Sequence, residues 1–69
     1  MKRVFSINVP GQYGYSFAVE GELNEGSAIS KAFENGLFEE PIDANYAVAE
    51  DITDSDYDLK AFENCTYKV

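Results

Sequence analysis

The segment 50–58 reads EDITDSDYD, five carboxylates in nine residues. Asp54, Asp56 and Asp58 alternate with Ser55 and Tyr57. Carboxylates at this density can hold a hard cation, move protons as a pair, or present negative charge to a cationic partner. Each use makes a demand that the sequence meets or fails. A calcium loop of the EF-hand kind needs oxygen ligands at positions 1, 3 and 5, glycine at 6 and a bidentate Glu at 12. Counted from Asp54, the sixth position is Leu59 and the twelfth is Cys65. The turn-forming glycine and the closing carboxylate are both missing, so no metal is expected.

Acid–base chemistry needs one carboxyl kept protonated beside a substrate cleft. The chain has no His, no glycine-rich phosphate loop and a single Cys, Cys65, with no imidazole to activate it. An enzyme is not expected, and neither is a cofactor. Charge presentation uses more of the sequence. Between Lys31 and Lys60 there is no basic residue, yet that interval holds Glu34, Glu39, Glu40, Asp43, Glu50, Asp51, Asp54, Asp56 and Asp58. Solubilising charge is usually mixed in sign, because unpaired like charges repel and cost stability. Pairing with a partner's Lys and Arg would offset that cost. In an extended chain, carboxylates two residues apart sit roughly 6.6 Å from one another, a spacing comparable to successive phosphates. Glu39, Glu40, Asp43, Glu50, Asp51, Asp54, Asp56 and Asp58 are therefore the candidate partner-binding residues. The competing reading is a solvated face with no task beyond solubility.

Several elements must position these residues. Phe5, Ile7 and Val9 alternate with Ser6 and Asn8, which predicts a strand over Arg3–Val9. Pro10-Gly11-Gln12 turns the chain. Tyr13, Tyr15, Phe17 and Val19 then share one face of a second strand, with Gly14 as a possible bulge position. Ile29, Ala32, Phe33 and Leu37 have helical spacing. Asn24 or Ser27 can cap that helix, and Asn35-Gly36 can end it. Tyr46–Ile52 reads as a strand with Tyr46, Val48 and Glu50 on one side and Ala47, Ala49 and Asp51 on the other. Thr53-x-x-Asp56 resembles a capping box, with Leu59 and Phe62 at i and i+3 behind it, which favours a short second helix; read as a strand, the same segment would place Tyr57, Leu59 and Ala61 on one face. Asp54 and Asp56 in the first turn of that helix would suit its dipole. Cys65, Tyr67 and Val69 alternate in a last strand. The pentapeptide KAFEN occurs at 31–35 and again at 60–64. It fits the last turn of a helix with Ala and Phe inward and Asn as cap. The expected fold is α+β, an antiparallel sheet of three to four strands in the order β-β-α-β-α-β with helices on one face.

Length and composition set the bounds. The 69 residues suit a single domain, 1–69, and 45% hydrophobic content with five Phe and five Tyr supplies a core. Thirteen Asp and Glu against five Lys and Arg give a formal net charge of −8. Such a surface repels nucleic acid and anionic membrane and fits a basic protein surface. One cysteine allows no internal disulfide, which suits a reducing cytoplasm. No secretory signal or membrane span is read in the N-terminal residues.

In length, in the acidic run EDITDSDYD with EEPID upstream, in its single cysteine and in its α+β pattern, the whole chain resembles small acidic phage-encoded inhibitors that mimic nucleic acid, above all the anti-CRISPR proteins. The resemblance implies a monomer acting in the host bacterial cytoplasm. It implies binding to a subunit of a CRISPR effector, of type I, with carboxylates filling the basic site that receives target DNA. Two alternatives stay open. One is a mimic directed at another DNA-binding defence or repair enzyme. The other is an acidic interaction module whose anchors are exposed aromatics such as Tyr13, Tyr15 or Phe38.

Overall fold

A computed structural model of the chain describes residues 1–11 and 16–69. Four strands form one sheet: β1 (Arg3–Asn8), β2 (Ser16–Gly21), β3 (Val48–Asp51) and β4 (Thr66–Lys68). Two α-helices, α1 (Glu25–Glu34) and α2 (Asp56–Ala61), and a 3-10 helix over Pro41–Asn45 complete it. The fold is α+β, and the order β-β-α-β-α-β is the expected one. The radius of gyration, 10.9 Å, matches the roughly 11 Å of a packed domain of this length.

The sheet order is β3-β1-β2-β4. β1 pairs antiparallel with β2, from Arg3 opposite Gly21 to Asn8 opposite Ser16, and antiparallel with β3, from Phe5 opposite Asp51 to Asn8 opposite Val48. β4 departs from expectation. It pairs in parallel with β2, so the sheet is mixed rather than wholly antiparallel. The cause lies in the connection after β3. Parallel strands need a crossover of about a dozen residues, usually helical, and residues 52–65 with α2 supply one. β3 and β4 thus run in the same direction, separated by β1 and β2.

The alternation read in β1 decides the main core. Phe5, Ile7 and Val9 are buried on the face that carries α1, with Phe17, Val19, Leu23, Ala28, Ala32 and Phe38. Phe17 meets Phe38 edge-on at 5.6 Å and Tyr67 at 6.1 Å between ring centroids. A second, smaller buried set lies on the reverse face. Ala18, opposite Ser6 and Thr66, and Ile52, whose N–H donates to the Val4 carbonyl at 2.8 Å, are both buried. Burying a side chain the size of Ile52 contributes about 1.5–3 kcal/mol. The Thr66 hydroxyl on this face donates to the Phe62 carbonyl at 2.7 Å, which brings the end of α2 to the reverse side. The two helices therefore flank the sheet instead of sharing one face.

Local signals fix the ends of α1. Asn24 Oδ1 accepts the Ser27 N–H at 2.9 Å, and Ser27 Oγ accepts the Asn24 N–H at 2.8 Å. This reciprocal cap is worth about 0.5–2 kcal/mol. At the other end Gly36 takes φ +68°, Leu37 N–H reaches the Ala32 carbonyl and Gly36 N–H reaches that of Phe33. That is a Schellman closure. Gly21 meets a different demand. A Cβ there would lie 2.6 Å from the Val69 carbonyl oxygen, so a bare Cα is what lets the chain at Val69 pair with Glu20.

The phase of α1 differs from expectation. Its buried stripe is Ala28 and Ala32, with Ile29 half-buried, while Phe33 is 51% exposed. Small residues let the helix approach the sheet closely, and the bulky Phe33 is turned outward. The two KAFEN copies also behave differently. In the second, Ala61 is exposed and Phe62 half-buried, and α2 already ends at Ala61, so Asn64 does not cap it. The expected features at Gln12, Tyr13, Gly14 and Tyr15 lie outside the described residues.

Candidate functional site

β3 is an edge strand, and the acidic run continues from it through a turn into α2. Within this stretch the carboxylates divide into two kinds. Asp51 and Asp58 are committed to the fold. Asp51 Oδ1 accepts the Thr53 hydroxyl at 2.6 Å and the Thr53 N–H at 3.0 Å, while its Oδ2 accepts from the Arg3 guanidinium at 2.9 Å. The two Thr53 hydrogen bonds, with the Arg3 charge adding, hold Asp51 below the usual carboxylate range. Thr53 Oγ1 in turn accepts the Val4 N–H at 2.9 Å, which ties the turn to β1. Asp58 Oδ2 accepts the Ser55 hydroxyl at 2.9 Å, and Ser55 Oγ accepts the Asp58 N–H at 3.3 Å.

Ser55 is thus the N-cap of α2. The cap falls two residues later than the expected Thr53, and it is not a reciprocal box: the Ser55 N–H donates to the Ile52 carbonyl, and Asp58 accepts the Ser55 hydroxyl instead. Asp56 and Asp58 stand in the first turn of α2 and oppose its positive end, whereas Asp54 lies before the helix. Of the two residues expected in the first turn, Asp56 stands there and Asp54 does not.

Glu50, Asp54 and Asp56 form the second kind. All three are exposed, and none makes a hydrogen bond or ion pair through its carboxylate with another described residue. Glu50 projects from the reverse face of the edge strand, Asp54 from the turn, and Asp56 from the start of α2. Tyr57 beside them is 84% exposed. Among the described residues no group of three or more His, Cys, Asp or Glu is gathered closely enough to hold a metal ion. These carboxylates sit on a strand, a turn and a helix start in succession and do not converge as a cage.

The upstream candidates lie on another element. Glu39 and Glu40 are exposed just before the 3-10 helix. Asp43 is only 6% exposed. Its backbone is engaged at both ends, N–H to the Glu40 carbonyl and carbonyl from the Tyr46 N–H. Winding after Pro41 turns Asp43 inward, so it cannot present charge to a partner. Phe38, a candidate aromatic anchor, is a core residue, while Tyr13 and Tyr15 fall outside the described residues.

Sequence reasoning missed the exposed apolar residues Phe33 and Ile42, which face one groove between α1 and the 3-10 helix. The available signal was Ala28 and Ala32 four residues apart, a small-residue stripe that turns its neighbour Phe33 away from the sheet. Among the described residues no helix is long and apolar enough to cross a membrane. No family model, curated protein or solved structure matches the chain.

Proposed function

We propose that this chain is an inhibitor that occupies a basic, DNA-receiving surface of a CRISPR effector complex of type I in the host bacterial cytoplasm. It acts by mimicking nucleic acid, as a monomer, by occupancy rather than catalysis. One observation carries the reading: Glu50, Asp54 and Asp56 are exposed without an internal cation on a continuous strand–turn–helix segment. Carboxylates left unpaired on a chain of net charge −8 raise its self-repulsion. A partner rich in Lys and Arg removes that penalty and is steered to the same surface. The competing role for Glu50 is to guard the edge of β3 against strand pairing.

The test is competition against DNA. Purified type I effector should lose target binding when the wild-type protein is added. Glu50→Lys with Asp54→Lys leaves Asp51 and Asp58 in place and so leaves the turn and cap intact. That variant should keep the wild-type circular dichroism and inhibit at least about a hundredfold more weakly. If it inhibits as well as the wild type, these carboxylates only guard an edge. If the wild type leaves the effector unaffected but displaces DNA from a restriction or repair enzyme, the mimicry is directed at that enzyme instead.

A further inference from the structure

We propose that the groove between α1 and the 3-10 helix docks a short basic segment of a protein partner through a bulky apolar side chain. The groove has a volume of about 690 Å³ and is walled by Ile29, Phe33, Pro41, Ile42 and Ala44, with Glu34 at its side. Phe33 and Ile42 come from different elements and are 51% and 59% exposed. Neither belongs to the core, whose α1 contacts are made by Ala28, Ala32 and the half-buried Ile29. Two large apolar side chains facing one opening supply the kind of anchor pocket that dominates interface energetics.

Charge selects the occupant. Glu34 is the one carboxylate among the lining residues and is paired with Lys31, while Glu25, one turn before Ile29 on the stripe that continues to Phe33, and Glu40, immediately before Pro41, are exposed and have no cation partner among the described residues. No Lys or Arg lines the groove. Lys31, the nearest in sequence, is drawn to Glu34 at 3.8 Å. A Leu or Phe flanked by Lys or Arg satisfies both the apolar walls and this acidic rim. A second copy of the chain would bring another net charge of −8 against the same rim. A small apolar molecule would stay largely in water, since both anchors are more than half exposed. The site uses no carboxylate of the β3–α2 segment and stands independently of the DNA-mimic reading.

The experiment titrates the isotopically labelled full chain with a synthetic amphipathic helix of leucine and lysine and follows backbone amide shifts. Two companion peptides replace Leu by Ser or Lys by Glu. The Leu/Lys peptide should shift Ile29, Phe33, Ile42 and Ala44, and both companions should bind far more weakly. Phe33→Ser with Ile42→Ser should weaken binding about tenfold or more without unfolding the protein, because both positions are exposed. Equal binding of the Ser/Lys peptide, or shifts centred on Glu50, Asp54 and Asp56, would mean charge alone is recognised and overturn the docking site. Equal binding of the Leu/Glu peptide would overturn the basic occupant. Concentration-dependent self-association mapped to Phe33 and Ile42 without peptide would assign the groove to a second copy. Saturable binding of an apolar dye there, with no peptide response, would assign it to a small ligand.

Discussion

The Arg3 guanidinium reaches the Asp51 carboxylate at 2.9 Å although 48 positions separate them in sequence. The pair joins the start of β1 to the end of β3, and the same carboxylate holds Thr53 at the turn into α2. Asp51 therefore belongs to the architecture of the acidic run more than to its charge display. Its folded-state titration lies below the ordinary carboxylate value. A depressed folded value means that its contribution to stability is present above the unfolded value, near pH 3.9, and is lost as pH falls through the folded value. Asp51→Asn should be less stable than the wild type at neutral pH. The gap should begin to narrow as pH drops below about 4 and should close once pH has passed the lower folded value, where the folded wild-type carboxyl is neutral as well. Urea titrations across this range measure it, and a gap that stays constant with pH would mean the charge of Asp51 is not what matters.

Much of the fold was legible because its signals are local. Phe5, Ile7 and Val9 alternate whatever lies elsewhere, and Asn24, Ser27, Asn35 and Gly36 cap and close α1 through bonds spanning only a few residues. The misplaced features depend on distant partners. Thr53 and Ser55 are each followed three residues later by Asp, so sequence alone offers two overlapping boxes. The decision is made by Val4, whose N–H engages Thr53 across 49 positions and leaves Ser55 to cap. The direction of β4 likewise depends on which strand it meets, and the burial of Asp43 on how the chain winds after Pro41. Of the candidate site, the density of charge was legible and its division was not, because Arg3 and Thr53 enter through tertiary contacts.

The repeated pentapeptide provides an internal control for tertiary context. Ala32 is fully buried against the sheet, whereas Ala61 is exposed at the end of α2. Ala32→Leu forces extra methylenes into a packed contact and should cost about 1–3 kcal/mol. Ala61→Leu should stay within about 0.5 kcal/mol of the wild type. For a domain of this size, 1 kcal/mol moves the melting midpoint by about 4–8 °C, so thermal melts separate the two readily. Equal effects at both positions would contradict the phase of α1 described above.

Salt should stabilise this protein. Three ion pairs are present among the described residues: the Met1 amino group with Glu22, Arg3 with Asp51, and Lys31 with Glu34. All are solvent-accessible, and such pairs contribute about 0–1 kcal/mol each and are weakened by screening. Against them stands the repulsion within a net charge of −8, concentrated in an interval of chain without any Lys or Arg. The molecule measures 29 × 23 × 16 Å. At about 20 mM salt the screening length, roughly 20 Å, is comparable to that size, so carboxylates repel across the whole body. Near 300 mM it falls to about 6 Å, and only near neighbours still interact. Removing many long-range repulsions should outweigh weakening three exposed pairs. The melting midpoint should rise by roughly 3–5 °C between these concentrations of sodium chloride. Glu50→Gln with Asp54→Asn removes two of the unpaired charges and should show a smaller rise from a higher starting point. A midpoint that falls with salt would mean that the ion pairs dominate, and the acidic surface would then carry no electrostatic cost for a partner to relieve.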